Sequence, residues 1–170
     1  MKLFKTSEDI YNFITKEWET SRNAEVGVCL KVISTPKAKQ VLKVSKASPT
    51  TEYLIREQDV ITLVVYEEAW DRLSELNREL LLKGVFSVIS YDTEHEKLII
   101  DNRPYADLFN MRHAKDANGK EYLDMYDNTL ETAALVIQQI EDEEKQRKEE
   151  EKQRKAEERA MKKAAKAKKQ

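Results

Sequence analysis

Cysteine, histidine and glycine are scarce in this chain. One cysteine, Cys29, excludes a disulfide framework and a cysteine-rich zinc module, and it fits a reduced compartment. Cys29 stands in an alternating apolar run, where a small buried thiol is expected. Two histidines leave little for a histidine-based metal site. His95 lies between Glu94 and Glu96 and His113 follows Arg112. Neither has a second ligand at metal spacing, so both read as surface residues. Three glycines, Gly27, Gly84 and Gly119, do not make a phosphate-cradling loop. No apolar run approaches the about 18 residues of a membrane span. The start, Met1-Lys2-Leu3-Phe4-Lys5, lacks the apolar centre of a secretory signal. The expectation is a chain neither exported by such a signal nor held across a membrane.

Charge, by contrast, is plentiful: 36% of the residues are Asp, Glu, Lys or Arg. The net charge of -2 hides an uneven distribution. Residues 141–170 hold 12 Lys/Arg and 9 Asp/Glu, so this tail carries +3 and residues 1–140 carry -5. Its only large apolar residue is Met161. The chain therefore divides into a domain over 1–140, long enough for one modest core, and a charged tail over 141–170. The last ten residues hold five lysines, Lys162, Lys163, Lys166, Lys168 and Lys169, and no acid. Such an end either attracts nucleic acid or another anionic surface, or is a solvated end that keeps the protein soluble.

Thr6 and Ser7, with Asp9 in capping-box spacing, precede Ile10, Phe13, Ile14 and Trp18 at helical intervals. Residues 25–34 read as a strand with Val26, Val28, Leu30 and Val32 on one side. After the turn at Thr35-Pro36-Lys37, residues 41–44 read as its hairpin partner, flanked by Lys37, Lys39, Lys43 and Lys46. Ser48-Pro49 opens a loop. Val60-Ile61-Thr62-Leu63-Val64-Val65-Tyr66 is a β-branched strand that passes into a short helix from Glu67. A second helix, about 74–90, is apolar nearly all round, as befits a domain centre. One polar stripe remains on it, Glu79, Lys83 and Ser87, and that face should look into something other than core. Residues 97–101 read as a strand, 106–113 as a short helix and 116–120 as a loop.

Asn128 and Glu131 mark a last helix start, with a stripe of Leu130, Ala133, Ala134, Ile137 and Ile140. Beyond Ile140 the stripe stops but helix formers continue. Glu141–Lys145, Glu143–Arg147, Glu144–Lys148, Glu150–Arg154 and Glu151–Lys155 are spaced i, i+4 in the favourable order. Apolar a and d positions are lacking, which points to a solvated single helix rather than a coiled coil.

The order strand, short helix, apolar helix, strand, Arg-Pro turn resembles the phage metallopeptidase domain family, a compact zincin-like group. The resemblance rests on Lys43-Val44-Ser45-Lys46, Val60–Val65, Glu67-Glu68-Ala69-Trp70-Asp71-Arg72-Leu73, Arg78-Glu79-Leu80-Leu81-Leu82, Tyr91–Glu96, Lys97–Ile100 and Arg103-Pro104-Tyr105-Ala106. They cover roughly half of the chain. The resemblance implies an HExxH helix, in which two histidines one turn apart hold Zn²⁺ and the glutamate takes a proton from the bound water. Here Lys83 stands at the first histidine, Gly84 at the general base, Ser87 at the second histidine and Tyr105 at the third ligand. An ammonium repels Zn²⁺ and glycine has no basic group. The expectation is a zincin-like fold with neither zinc nor any other cofactor, and with no peptidase activity.

The fold class expected is α+β: a twisted sheet of three to five strands packed on a central helix, plus a long charged C-terminal helix. The leading functional expectation is a non-catalytic phage or prophage protein acting in binding or assembly, in the virion, as packaged cargo or on host machinery. Its setting is then the host cytoplasm or the virion, and its partner a phage or host protein. A second expectation is nucleic-acid association through the lysine-rich end and the basic hairpin, although the negative charge of 1–140 speaks against a dedicated DNA-binding domain. A third is a hydrolase with an unrecognised site. Its only nucleophile candidate is Ser87 with Lys83, and no oxyanion-hole signature accompanies it.

Overall fold

The computed structural model describes residues 3–55, 59–92, 94–100 and 121–167, with backbone alone at 22, 51, 54–55, 122–123 and 159–167. The expected third-ligand position Tyr105, the 103–104 turn, the 106–113 helix, His113, the 116–120 loop, Lys168 and Lys169 lie outside them. The fold is α+β, with a three-stranded mixed sheet, a separate two-stranded sheet and a long C-terminal helix.

β3 (Val60–Tyr66) is the middle strand of the larger sheet, between β1 (Cys29–Thr35) and β2 (Leu42–Lys46). It runs parallel to β1, with Cys29 opposite Val60 and Thr35 opposite Tyr66. It runs antiparallel to β2, with Leu42 opposite Val65. The expected β1–β2 hairpin is therefore not formed, because β3 lies between its two arms. The cause is burial. β3 is apolar on both faces, with Val60, Ile61, Leu63 and Val65 fully buried, so both of its edges gain from pairing. β2 alternates, exposing Lys43 and Ser45, and such charged strands suit a sheet edge. β1 also begins later than expected. Residues Arg22–Glu25 form a short helix, α2, and Gly27 takes a left-handed conformation (φ 81°) that turns the chain into the strand.

Helix α1 (Glu8–Glu19) buries Ile10, Ile14 and Trp18 at i, i+4, i+8. The expected capping box is not made. The Ser7 backbone N–H donates to Glu67 Oε1 at 2.8 Å, and Ser34 Oγ lies 2.6 Å from the same oxygen and 3.0 Å from Thr6 Oγ1. Glu67 thus pins the N-terminal segment to β1. Pro49 does not open a loop. It stands at the first position of α3 (Pro49–Ile55), where its missing N–H costs nothing.

α4 (Glu67–Asp71) is held at its end by Arg78, which donates to the carbonyls of Trp70 and Asp71, both at 2.9 Å. The same guanidinium sits 5.7 Å over the Trp70 ring. α5 (Glu75–Ser87) starts at an N-cap, Ser74, whose hydroxyl accepts from the Asn77 N–H. It buries Leu80, Leu81, Leu82, Gly84, Val85 and Phe86, so it is the central helix. It stops before Ile89 rather than running to 90, because 89–92 pair as β4 with β5 (Lys97–Ile100). The buried Asn23 amide donates to the Phe86 carbonyl at 3.0 Å and satisfies one of the acceptors freed at the helix end. In the β4–β5 turn, Asp92 Oδ1 accepts from the N–H groups of Glu94 and His95, and Asp92 Oδ2 lies 2.7 Å from His95 Nδ1.

The last helix, α6 (Tyr122–Ala167), spans 46 residues, about 69 Å at about 1.5 Å per residue. It begins before Asn128, so the Asn128–Glu131 signature lies inside the helix. Its buried stripe is Tyr126, Thr129, Ala133, Val136, Ile137 and Ile140. The expected Leu130 and Ala134 are exposed at its rim, and Leu135 is 59% exposed. Among the described residues, no helix is long and apolar enough to cross a membrane.

Candidate interaction site

Two surfaces come from the sequence reading: the α5 face and the charged tail. On α5, Lys83 is exposed and Glu79 and Ser87 are half-buried, so the polar stripe does leave the core. The Ser87 hydroxyl donates to the Gly84 carbonyl at 2.7 Å.

Gly84 is not at the edge of a cleft. A Cβ placed there would come within 2.3–2.5 Å of Cε2, Cζ and Oη of Tyr126. Tyr126 is 1% exposed. The position that the resemblance assigns to a general base is thus filled by a ring from α6, and the missing side chain lets α5 and α6 approach closely. Sequence reasoning missed this because an absent carboxylate and a packing glycine look alike without the partner helix. Among the described residues, no group of three or more His, Cys, Asp or Glu converges as metal ligands.

The second surface begins where α6 leaves the domain. One turn beyond Ile140, Glu143 and Glu144 take over from the apolar stripe. Arg72 at the end of α4 reaches Glu143 with both terminal nitrogens, at 2.7 and 2.8 Å, and also Glu68 at 3.1 Å. This is a forked, two-point contact that fixes direction as well as distance. Lys37, in the β1–β2 connection, donates to Glu144 at 2.9 Å. The hydrogen bond from Arg72 holds the Glu143 carboxyl below the usual carboxylate range. Lys37 does the same for Glu144, and Glu144 in turn raises Lys37. Burial pushes the nearby Tyr66 phenol up, and Glu68 and Glu144 add to it. Neither Arg72 nor Lys37 was legible as a tail partner, since each lies far from the tail in sequence.

Beyond this clamp, residues 145–158 are exposed throughout. Ion pairs run along the helix from Glu143 to Arg147 at 3.7 Å, from Glu144 to Lys148 at 3.5 Å and from Glu151 to Lys155 at 2.5 Å. Lys145 departs from its expected i−4 partner and pairs with Asp142 at 2.9 Å. Of the five terminal lysines, 162, 163 and 166 stand on α6. From 141 to 167 the helix covers about 40 Å at about 1.5 Å per residue, so those positions lie far from the domain along the helix axis. Comparison with known protein families, with curated proteins and with solved structures returns no match for this chain.

Proposed function

We propose that this is a non-catalytic binding or assembly protein, of phage or prophage setting, in which a zincin-like domain serves as the mount for a charged helical arm. One observation carries the reading. α6 is packed in the core through Ile140, is held at Glu143 and Glu144 by two basic residues of the domain, and then continues as helix to Ala167, exposed over 145–158. A charged segment that only aided solubility would need no such fixed departure. Lys83, Gly84 and Ser87 at the motif positions, with Gly84 under Tyr126, support a domain that does not hydrolyse peptides.

The test is capture of partners from phage-infected host lysate by the full chain and by a chain ending at Lys148, which keeps both clamps. The partner is expected to be lost on truncation. Retention by the shortened chain would move recognition to the domain. Metal analysis of the purified full chain belongs beside it, and one zinc per chain would end the non-catalytic reading.

A further inference from the structure

Seven of the twelve cations in 141–170 follow one regular spacing. Positions 145, 148, 152, 155, 159, 162 and 166 are all Lys or Arg, and they recur at alternating intervals of three and four residues. On α6 that interval places all seven along one side of the helix. Glu150 and Glu157 fall on the opposite side, while Glu149, Glu151 and Glu158 flank the row three or four residues from its members. The row runs about 32 Å at about 1.5 Å per residue, with a charge roughly every 5 Å. It starts one residue past the Glu144–Lys37 clamp, so the domain fixes the line along which it leaves.

We infer that this row is a docking face for the phosphate backbone of a nucleic acid. The inference rests on the reading of α6 as the binding arm and names its partner. Charge complementarity selects the occupant: a regularly charged rod matches a regularly charged row, and a row of about 32 Å is close to the about 34 Å of one duplex turn. A membrane surface is a poorer fit, because the arm has no large apolar residue but Met161 to enter it. Recognition is by charge and spacing, with no base-reading element, so binding is insensitive to sequence. If all seven cations replaced counter-ions, log K would fall against log salt with a slope of about −6. Intrahelical acids, such as Glu151 on Lys155, compete for some of them, so the slope falls between about −3 and −6.

The experiment uses the full chain and a labelled 20-base-pair duplex and 20-nucleotide single strand, with anisotropy read from 50 to 300 mM salt. Two double variants remove the same charge. Lys152→Gln with Arg159→Gln empties two positions of the row, and Arg147→Gln with Arg154→Gln removes two cations off it. The row variant is expected to lose affinity on the order of tenfold, and the off-row variant less than twofold, with far-UV helicity equal in both. Equal losses would mean that net charge, not the row, is read, and would overturn the inference. So would competition by polyglutamate or anionic lipid vesicles as effective as that by unlabelled duplex. Absence of binding at 50 mM salt would also overturn it. If partner capture still depended on the arm in that case, the binding-arm reading would stand without a nucleic acid.

Discussion

Gly84→Ala is a sharp probe of how the arm is mounted. In an exposed helix the substitution stabilises by about 1 kcal/mol, because alanine has the better propensity. At this site the new methyl meets three Tyr126 atoms at 2.3–2.5 Å, well inside contact distance, and the ring is almost fully buried. Overpacking of this kind costs about 1–3 kcal/mol, and three simultaneous clashes place it toward about 2–3. The net expectation is a loss of about 1–2 kcal/mol, or a drop in Tm of about 3–8 °C. A double-mutant cycle separates the two contributions. Tyr126→Ala alone should cost about 3–5 kcal/mol through the cavity it leaves. In that background Gly84→Ala should turn stabilising by about 1 kcal/mol, giving a coupling of about 2–3 kcal/mol. Urea unfolding followed by tryptophan fluorescence and far-UV circular dichroism reads all four proteins. Stabilisation by Gly84→Ala in the native background would refute the close packing of α5 on α6.

Two further predictions concern smaller contacts. Asn23→Ala removes a buried amide that donates to the Phe86 carbonyl, which still accepts from the Val88 N–H, and about 0.5–1.5 kcal/mol of stability should be lost in urea unfolding. Glu143 and Glu144 titrate below the ordinary range because Arg72 and Lys37 bond their charged forms. Their contribution is therefore complete above the unfolded value of about 4.3 and is lost as pH falls through the lowered folded values. NMR titration should show the Glu143 midpoint rising toward the ordinary value in Arg72→Gln while Glu144 keeps its own. An unmoved Glu143 midpoint would mean that the fork is not made in solution.

Local patterns were legible in proportion to how local their causes are. The strand Val60–Tyr66, the central burial of α5 and the continuation of helix past Ile140 follow from runs of side chains that decide their own environment. The place of β3 between β1 and β2 was not legible, since adjacency along the chain favours a hairpin and only the sheet as a whole rewards burying both edges of β3. Asn128 and Glu131 imitate a helix start because a capping signature says nothing about what precedes it. Glu143 and Glu144 read as solvated acids, and their partners Arg72 and Lys37 are supplied by distant turns. On the α5 face, Lys83 and Ser87 leave the core as their spacing required. Gly84 carried a meaning that only Tyr126 discloses.

The central claim is that the arm, and not the α5 face, makes the contact. A photo-crosslinking residue placed at position 152 of the full chain, compared with one at position 83, tests it directly in infected-cell lysate. The account predicts a defined adduct from position 152 and none from position 83. An adduct from position 83 alone would contradict it and return recognition to the domain.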